Sequence, residues 1–393
     1  MNQSEVVENK QDSERVMPLT EGDLSCDWLN QVLAEHLNNN IIASFESSII
    51  GVGEGFMGQL ARLTLHYEES ISPAPKTLIA KFASPNERTR EMAREQKYYE
   101  REIGFYNDIG QEVGIPTAEC LYTQLLKTSN HFVIILKDLA PAIASDQVAG
   151  TAAEDSKWVV EVASKLHANW WNSERLKAYS WSQPITSNMP IEDGLIMLQA
   201  SIKKAEANGK FDDYPEIKRL MKFLPPLFIM EPGPPFPFTL THGDLRSDNV
   251  FCPSDAGGNY ALIDWQLCGM GQPAGDLARW FTQSITIEQR RSTEKDLLKY
   301  YHECLVSQGV KDYSYKKLIQ DYQLNLVIIL LMFSMSTDDI DQSPERAQAL
   351  FHAMYSRLDA ALVDWKVIKL LKVLPYLIPF IKLSTWFKSK FSK

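Results

Sequence analysis

Three side chains that carry oxygen ligands occur at a spacing that constrains the fold of this chain more than any other feature. Asp244 is followed five residues later by Asn249 and twenty residues later by Asp264. A carboxylate that orients a hydroxyl, with an amide and a second carboxylate that ligate magnesium, supplies the oxygens needed for phosphoryl transfer from a nucleoside triphosphate. We therefore expect the chain to fold so that these three groups converge in one site.

The length and composition set the broad class of the protein. With 393 residues, 45% of them hydrophobic, the chain can bury a large core and favours two or three structural units. A formal net charge of -10 argues against nucleic acid as a partner, so a small molecule is the better expectation. The scattered cysteines form no C-x-x-C pair, which argues against zinc and disulfides and favours a cytoplasmic protein. These cysteines are Cys26, Cys120, Cys252, Cys268 and Cys304.

Hydrophobic patterning changes near Lys137. Strand patterns at 41–82 and 132–136 flank a charged helical pattern at 86–109, whereas long helical patterns follow Asp138. No stretch is long enough to cross a membrane. The predicted segments are a disordered tail at 1–18, an N-terminal lobe at 19–136, a helical C-terminal lobe at 137–364 and a basic apolar tail at 365–393. The predicted long helices are Ala152–Trp171, Gly194–Asn208, Ile287–Gln308, Tyr315–Met335 and Ser343–Val363.

A glycine-rich segment precedes the second predicted strand. Gly53, Gly55 and Gly58 satisfy G-x-G-x-x-G, but a dinucleotide site of that type needs a helix to follow. Alternation at period two over 60–67 predicts a strand instead, which suits a hairpin folded over phosphates. Glycines that only make a tight hairpin are the alternative.

Lys81 lies on the next predicted strand. A lysine that binds phosphate needs an acidic partner to fix its long side chain, and Glu102 on the charged helix is the best candidate. A solvated helix face is the alternative for Glu102.

With these residues laid out, the chain resembles the protein-kinase-like small-molecule phosphotransferases of aminoglycoside phosphotransferase and choline kinase type, and most closely their ecdysteroid kinase-like branch. The resemblance rests on H-G-D-L-R-S-D-N-V-F at 242–251, L-I-D-W-Q at 262–266 and G-D-L-A at 275–278, and it spans roughly Leu19 to Asp364. It implies an α+β, bilobal protein-kinase-like fold, with a small antiparallel-sheet N-lobe that has one helix and a larger, mainly helical C-lobe. It also implies ATP and Mg²⁺ as cofactors.

The resemblance assigns roles to the residues of the two main motifs. Asp244 would accept a hydrogen bond from the acceptor hydroxyl and receive its proton, while Asn249 and Asp264 would ligate magnesium. Arg246 would neutralise charge on the transferred phosphoryl group, or form an ion pair with Asp248 or another acid.

Other positions would bind adenine or support the site. Lys137, Asp138 and Leu139 fall where the hinge of the family would run and would bond adenine through their backbone. Relatives often carry an acidic residue in place of Lys137, a change that backbone recognition tolerates. His242 reads as a hydrogen-bonded spacer, and Asp276 as a helix-start residue that bonds amides of the catalytic loop.

The sequence leaves the acceptor open. An acidic cluster at Asp338, Asp339 and Asp341 would suit a cationic acceptor such as an amino-alcohol or aminoglycoside. Aromatic residues of the helical lobe would suit a lipophilic alcohol. These aromatic residues are Trp170, Trp171, Trp280, Phe281, Tyr322 and Phe333.

The last predicted segment, 365–393, combines seven lysines with apolar residues and contains no acid. Such a segment favours weak peripheral contact with the inner membrane surface, although Pro375 and Pro379 interrupt it. Packing against the helical lobe is the competing interpretation.

Three competing functions share parts of the pattern. A nucleotide-binding pseudokinase that acts as an interaction module is disfavoured because Lys81, Asp244, Asn249 and Asp264 are all present. A protein kinase is disfavoured because Trp265 follows Asp264 where protein kinases have Phe-Gly. A nicotinamide enzyme lacks the required helix after its glycines.

Overall fold

The computed structural model describes residues 17–51, 57–69, 73–184, 190–225, 237–335 and 345–372. Two compact units are present. The first contains the described residues up to Gly110 together with Ala118–Asp138, and the second contains Gln111–Thr117 and the described residues from Leu139 onward. The N-terminal lobe predicted at 19–136 is continuous, whereas the seven residues from Gln111 to Thr117 group with the second unit.

The first unit is built on one antiparallel sheet. Its spatial order is β1-β2-β3-β5-β4, and every neighbouring pair is antiparallel. The strands are β1 (Ile42–Ile50), β2 (Gly58–Tyr67), β3 (Thr77–Ala83), β4 (Cys120–Leu126) and β5 (His131–Lys137). Sequence reasoning missed β4 because this edge strand is half-buried along most of its length and lacks the apolar alternation of its neighbours.

The core of the first unit lies between the sheet and helix α1 (Cys26–Val32). Strand β3 contributes Leu78, Ala80 and Phe82 at period two, and these residues pack in one cluster with side chains of α1 such as Leu29. Met17 is buried in the same cluster. The predicted disordered tail at 1–18 is therefore wrong at its last two residues, since Met17 belongs to the core and ordered structure continues from it.

Two helices occupy the region 86–109 where the sequence predicted one. Helix α2 (Glu87–Glu95) begins at the cap Asn86, whose side chain accepts from the Thr89 amide, and α3 (Tyr98–Asp108) packs on β4. Between them Lys97 has a φ of 58°, a left-handed conformation that ends one helix and starts the next. With α1, the first unit contains three α-helices among its described residues, and not the single one expected.

The second unit is mainly helical. The five long helices predicted from the sequence are present, and each boundary lies within three residues of its predicted position. Of the three shorter helices, the sequence indicated only the start of one, near Asp276. The helices are α4 (Ala153–Asn169), α5 (Glu174–Ala178), α6 (Ile191–Ala207), α7 (Pro215–Met221), α8 (Pro273–Gln283), α9 (Ile287–Ser307), α10 (Tyr315–Met335) and α11 (Glu345–Asp364). None of the helices that the structure describes is long and apolar enough to cross a membrane.

Short strands complete the second unit and frame its loops. They are β6 (Ile143–Ala144), β7 (Thr239–Thr241), β8 (Val250–Cys252), β9 (Ala261–Leu262) and β10 (Gly269–Gly271). With the five-stranded sheet in one unit and most of the described helices in the other, the predicted α+β, two-lobed fold class is confirmed.

The beginning of the predicted C-terminal tail packs on this unit. Val367 and Leu371 are fully buried, and the indole nitrogen of Trp365 donates to Glu294 at 2.9 Å. Residues 373–393, on which the membrane hypothesis depends, lie outside the described residues.

Candidate active site

Two antiparallel ladders place the predicted catalytic loop, residues 242–249, beside the segment 263–268. Strand β7 leads into the catalytic loop and pairs with β10, which follows residues 263–268. Strand β8 follows the catalytic loop and pairs with β9, which precedes residues 263–268. The Ile263 amide donates to the Asn249 carbonyl at 3.0 Å, and Nε2 of His242 lies 2.9 Å from the Ile263 carbonyl. His242 is therefore a buried, hydrogen-bonded member of the loop, in the arrangement that the sequence predicted.

The close approach of these segments requires glycine at position 243. Gly243 has a φ of 78°, and a Cβ atom built on it would lie 2.1 Å from the carbonyl oxygen of Leu267. A side chain here would meet backbone, which cannot move aside as a flexible side chain can. Glycine is thus required at this position of the T-H-G-D motif by the packing of the two loops.

Asp276, in the first turn of α8, anchors the start of the catalytic loop. Its carboxylate accepts from the His242 amide at 2.7 Å and the Gly243 amide at 2.9 Å. Nε2 of His167 lies 3.2 Å from the same carboxylate, and Nδ1 of this ring lies 2.6 Å from the Tyr301 hydroxyl. Burial acts to raise the pKa of Asp276, but the hydrogen bond and charge of His167, together with the charge and amide of His242, lower the pKa below its ordinary value.

The carboxylate of Asp244 is surrounded by donors. Arg279 Nη1 donates to Oδ1 at 2.9 Å, while Arg246 Nε and Asn249 Nδ2 donate to Oδ2 at 3.2 and 3.1 Å. Burial would raise the pKa of Asp244, but the charges of Arg246 and Arg279 lower it below its ordinary value. Asp244 is therefore held as an anion, oriented from two sides.

Sequence reasoning missed Arg279. The signal was available, because Arg279 follows Asp276 by three residues, and positions three apart on a helix share a face. Since Asp276 was expected to face the catalytic loop, the arginine one turn later was a candidate for the same loop.

Arg246 forms the ion pair that was one of its two predicted roles, and its contact with a transferred phosphoryl group stays a prediction. Besides Asp244, its Nη1 lies 3.6 Å from Asp248 and donates to the Gln147 side chain at 3.2 Å. The guanidinium is thus held among acidic side chains and stays close to the Asp244 carboxylate.

The two predicted metal ligands lie on the adjacent loops. Asn249 donates through Nδ2 to both the carbonyl and the carboxylate of Asp244, which leaves its Oδ1 as the oxygen able to ligate a cation. Asp264 adopts a left-handed φ of 63° and accepts from Gln266 Nε2 at 3.3 Å. An amide oxygen and a carboxylate are hard donors that fit Mg²⁺, which commonly takes one or two carboxylates plus phosphate and water.

The same residues do not form a protein-only metal cage. Among the residues that the structure describes, no group of three His, Cys, Asp or Glu side chains is arranged to hold a metal ion.

In the first unit, Lys81 and Glu102 form the ion pair that the sequence predicted. Lys81 Nζ lies 2.8 and 2.7 Å from the two carboxylate oxygens, and both side chains are buried. Gly58, at the start of β2, pairs with the end of β3, and a Cβ there would lie 2.7 Å from the Phe82 carbonyl. Gly53 and Gly55 lie outside the described residues.

The predicted hinge residues form ion pairs and backbone hydrogen bonds with other residues of the protein. Lys137 pairs with Glu119 at 2.6 Å, and Asp138 with Arg62 at 2.8 Å. The Lys137 amide donates to the Glu119 carbonyl, and the carbonyl of Leu139 accepts from the Ala142 amide. Adenine recognition by these three residues stays a prediction.

A family model described as the ecdysteroid kinase-like family matches residues 52–315 of the sequence. The chain belongs to the ecdysteroid kinase-like family. The match contains Lys81, Glu102 and both loops of the candidate site, so the resemblance stated from the motifs is confirmed.

The chain is also similar to the following relative and solved structures. The chain is 21% identical to a Caenorhabditis elegans protein named uncharacterized oxidoreductase dhs-27, over 91% of this chain and 48% of the relative, and so spans about half the length of that protein. A Ralstonia eutropha protein described as an aminoglycoside phosphotransferase has a TM-score of 0.51 at 15% identity, covering 88% of this chain and 98% of that one. The choline kinase of Cryptosporidium parvum gives 0.51 at 12% identity with the same coverages. At such identities the two structures show the fold alone.

Proposed function

We propose that this family member is an ATP- and magnesium-dependent phosphotransferase that transfers the γ-phosphate to a hydroxyl of a small molecule. The observation that carries the proposal is the Asp244 carboxylate, held as an anion by Arg246, Arg279 and Asn249 in a loop pinned by Asp276. An oriented carboxylate of this kind is what a hydroxyl nucleophile needs in phosphoryl transfer.

The residues of the second unit would act chiefly by alignment. Asp244 would accept a hydrogen bond from the acceptor hydroxyl and take its proton late, since a loose transition state needs little base strength. Asn249 Oδ1 and the Asp264 carboxylate would hold magnesium, which when bound neutralises charge on the phosphates. Arg246, held near Asp244, would add positive charge on the side of the transferred phosphoryl group.

Lys81 would bind phosphate in the first unit. Its ion pair with Glu102 of α3 holds the ammonium group of Lys81 in place. Gly58 at the start of β2 would allow close approach of the backbone to the nucleotide, a role that stays a prediction with those of Gly53 and Gly55.

Turnover of ATP with a panel of sterol-like, amino-alcohol and sugar acceptors tests the proposal. We expect Asp244→Asn to lower turnover by about 10²- to 10⁴-fold with little change in affinity for ATP, because the side chain keeps its shape and loses its basicity. Asp255→Asn is the matched control, since Asp255 is exposed on a nearby loop of the same unit.

Two results would count against the proposal. Equal turnover in wild type and Asp244→Asn excludes Asp244 as the group that accepts the proton of the substrate hydroxyl. Tight magnesium-dependent ATP binding without turnover for any acceptor favours the pseudokinase alternative.

A further inference from the structure

Arg279 connects the catalytic loop to helix α10. It follows Asp276 on the face of α8 that contacts the loop, and its Nη1 donates to Asp244 Oδ1 at 2.9 Å. Its Nη2 lies 3.4 Å from the sulfur of Met332 on α10. The side chain is 12% exposed, so its guanidinium lies at the edge of the site and is neither core nor free surface.

The two oxygens of Asp244 have different surroundings. Oδ2 is held by Arg246 and Asn249, both of which belong to the catalytic loop. Oδ1 is held by Arg279, which comes from a separate helix. Arg246 also lies beside Asp248, so its charge is shared with a second acid. A hydroxyl that bonds Oδ1 therefore meets Arg279 as its neighbouring cation.

The helix α10 that meets Arg279 through Met332 carries exposed apolar side chains. Met332 is 38% exposed, and Ile328, one turn earlier on the same face of α10, is 39% exposed. A molecule bound beside Asp244 on this side would thus contact one guanidinium and apolar side chains. The acidic residues Asp338, Asp339 and Asp341, which would suit a cationic acceptor, lie outside the described residues.

We propose that Arg279 is a specificity-determining residue that selects the charge of the acceptor, favouring neutral or anionic hydroxyl compounds over those with a cation beside the hydroxyl. The inference rests on the proposed function, because it takes Asp244 as the group that binds the acceptor hydroxyl. A substituent on the carbon next to that hydroxyl would lie within a few ångströms of the guanidinium, where two positive charges repel and little water screens them.

A matched set of three phenyl-bearing alcohols tests the charge preference. Phenylglycinol carries an ammonium and styrene glycol a second hydroxyl, each on the carbon next to the one that bears the hydroxyl. Mandelate carries a carboxylate on the hydroxyl-bearing carbon itself. Affinities are measured by calorimetry with the full chain, magnesium and a non-hydrolysable ATP analogue. In the wild type we expect mandelate and styrene glycol to bind at least about tenfold more tightly than phenylglycinol.

Variants of Arg279 identify the source of the preference. Arg279→Glu should reverse the order of mandelate and phenylglycinol, and Arg279→Lys should keep the wild-type order because it keeps the charge. If Arg279→Glu does not fold, Arg279→Gln replaces it and should bring the affinities of the two charged probes within about threefold. Arg219→Gln, which removes an arginine paired with Glu216 on the separate helix α7, is the control and should leave the order unchanged.

The outcomes separate this inference from the proposed function. An unchanged order in Arg279→Glu or Arg279→Gln, or equal or absent binding of all three probes by the wild type, overturns it. Absence of ATP turnover overturns the proposed function alone, because the probe affinities are measured without turnover.

Discussion

The Lys81–Glu102 pair of the first unit and the Asp244 cluster of the second solve the placement of a buried charge in different ways. Lys81 and Glu102 lie on a regular strand and a regular helix, and each supplies the full countercharge of the other. Asp244 lies in a loop and needs two arginines and an amide to orient it. Regular elements position a side chain by their own hydrogen bonds, whereas a loop requires separate anchors.

The anchors of the loop are backbone contacts as much as side-chain contacts. Asp276 binds two consecutive amides, and Gly243 allows the loop to meet the Leu267 carbonyl. The comparison therefore predicts that the loop of the second unit is more sensitive to the loss of a single anchor than the first unit is to the loss of its ion pair.

Asp276→Ala is expected to have the largest effect. The change removes the acceptor for the His242 and Gly243 amides and for His167, and leaves three buried donors without their partner. We expect the free energy of unfolding to fall by about 4 kcal/mol or more, as measured by urea denaturation. If Asp276→Ala lowers the free energy of unfolding by less than Lys81→Met does, the loop is not the more sensitive of the two regions.

Lys81→Met is expected to have the second-largest effect on the free energy of unfolding. It leaves the Glu102 carboxylate buried without its cation, which should lower the free energy of unfolding by about 3 kcal/mol. The double variant Lys81→Met with Glu102→Leu should recover part of that loss, because no charge is then buried alone. Additive losses in the double-mutant cycle would show that the two side chains are not coupled.

The pH dependence of stability is expected to have the smallest effect. The pKa of Asp276 is lowered from its ordinary value of 3.8, so its stabilisation is fully present above that value and is lost as the pH falls through the lower pKa of the folded state. Wild-type stability should therefore decline below about pH 4. Asp276→Asn should show a shallower decline in the same titration, and an equal slope would assign the acid sensitivity to other carboxylates.

Much of the fold followed from periodicity. The long helices of the second unit and the strands β2, β3 and β5 carry clear apolar patterns, because each buries one face or both faces in a core. The edge strand β4 and the break at Lys97 did not follow, since a half-exposed strand has little pattern and a left-handed residue leaves no signal in an unbroken run of helix formers.

The candidate site was predictable in its motif residues and less so in their partners. The spacing of Asp244, Asn249 and Asp264 pointed to one cluster, and the structure places the two loops that carry them side by side. The contact of Arg279 with Asp244 joins residues thirty-five positions apart, and no local pattern specifies which side chain of a helix meets a loop.

The sequence by itself determined which chemical groups this family member has, because the motif residues are fixed by type and spacing along the chain. The tertiary structure decided how these groups are charged and held: which arginine meets each oxygen of Asp244, and which carboxylate fixes the loop backbone. Those choices depend on packing between segments far apart in the chain, where distance and burial set the electrostatic free energy and local sequence does not.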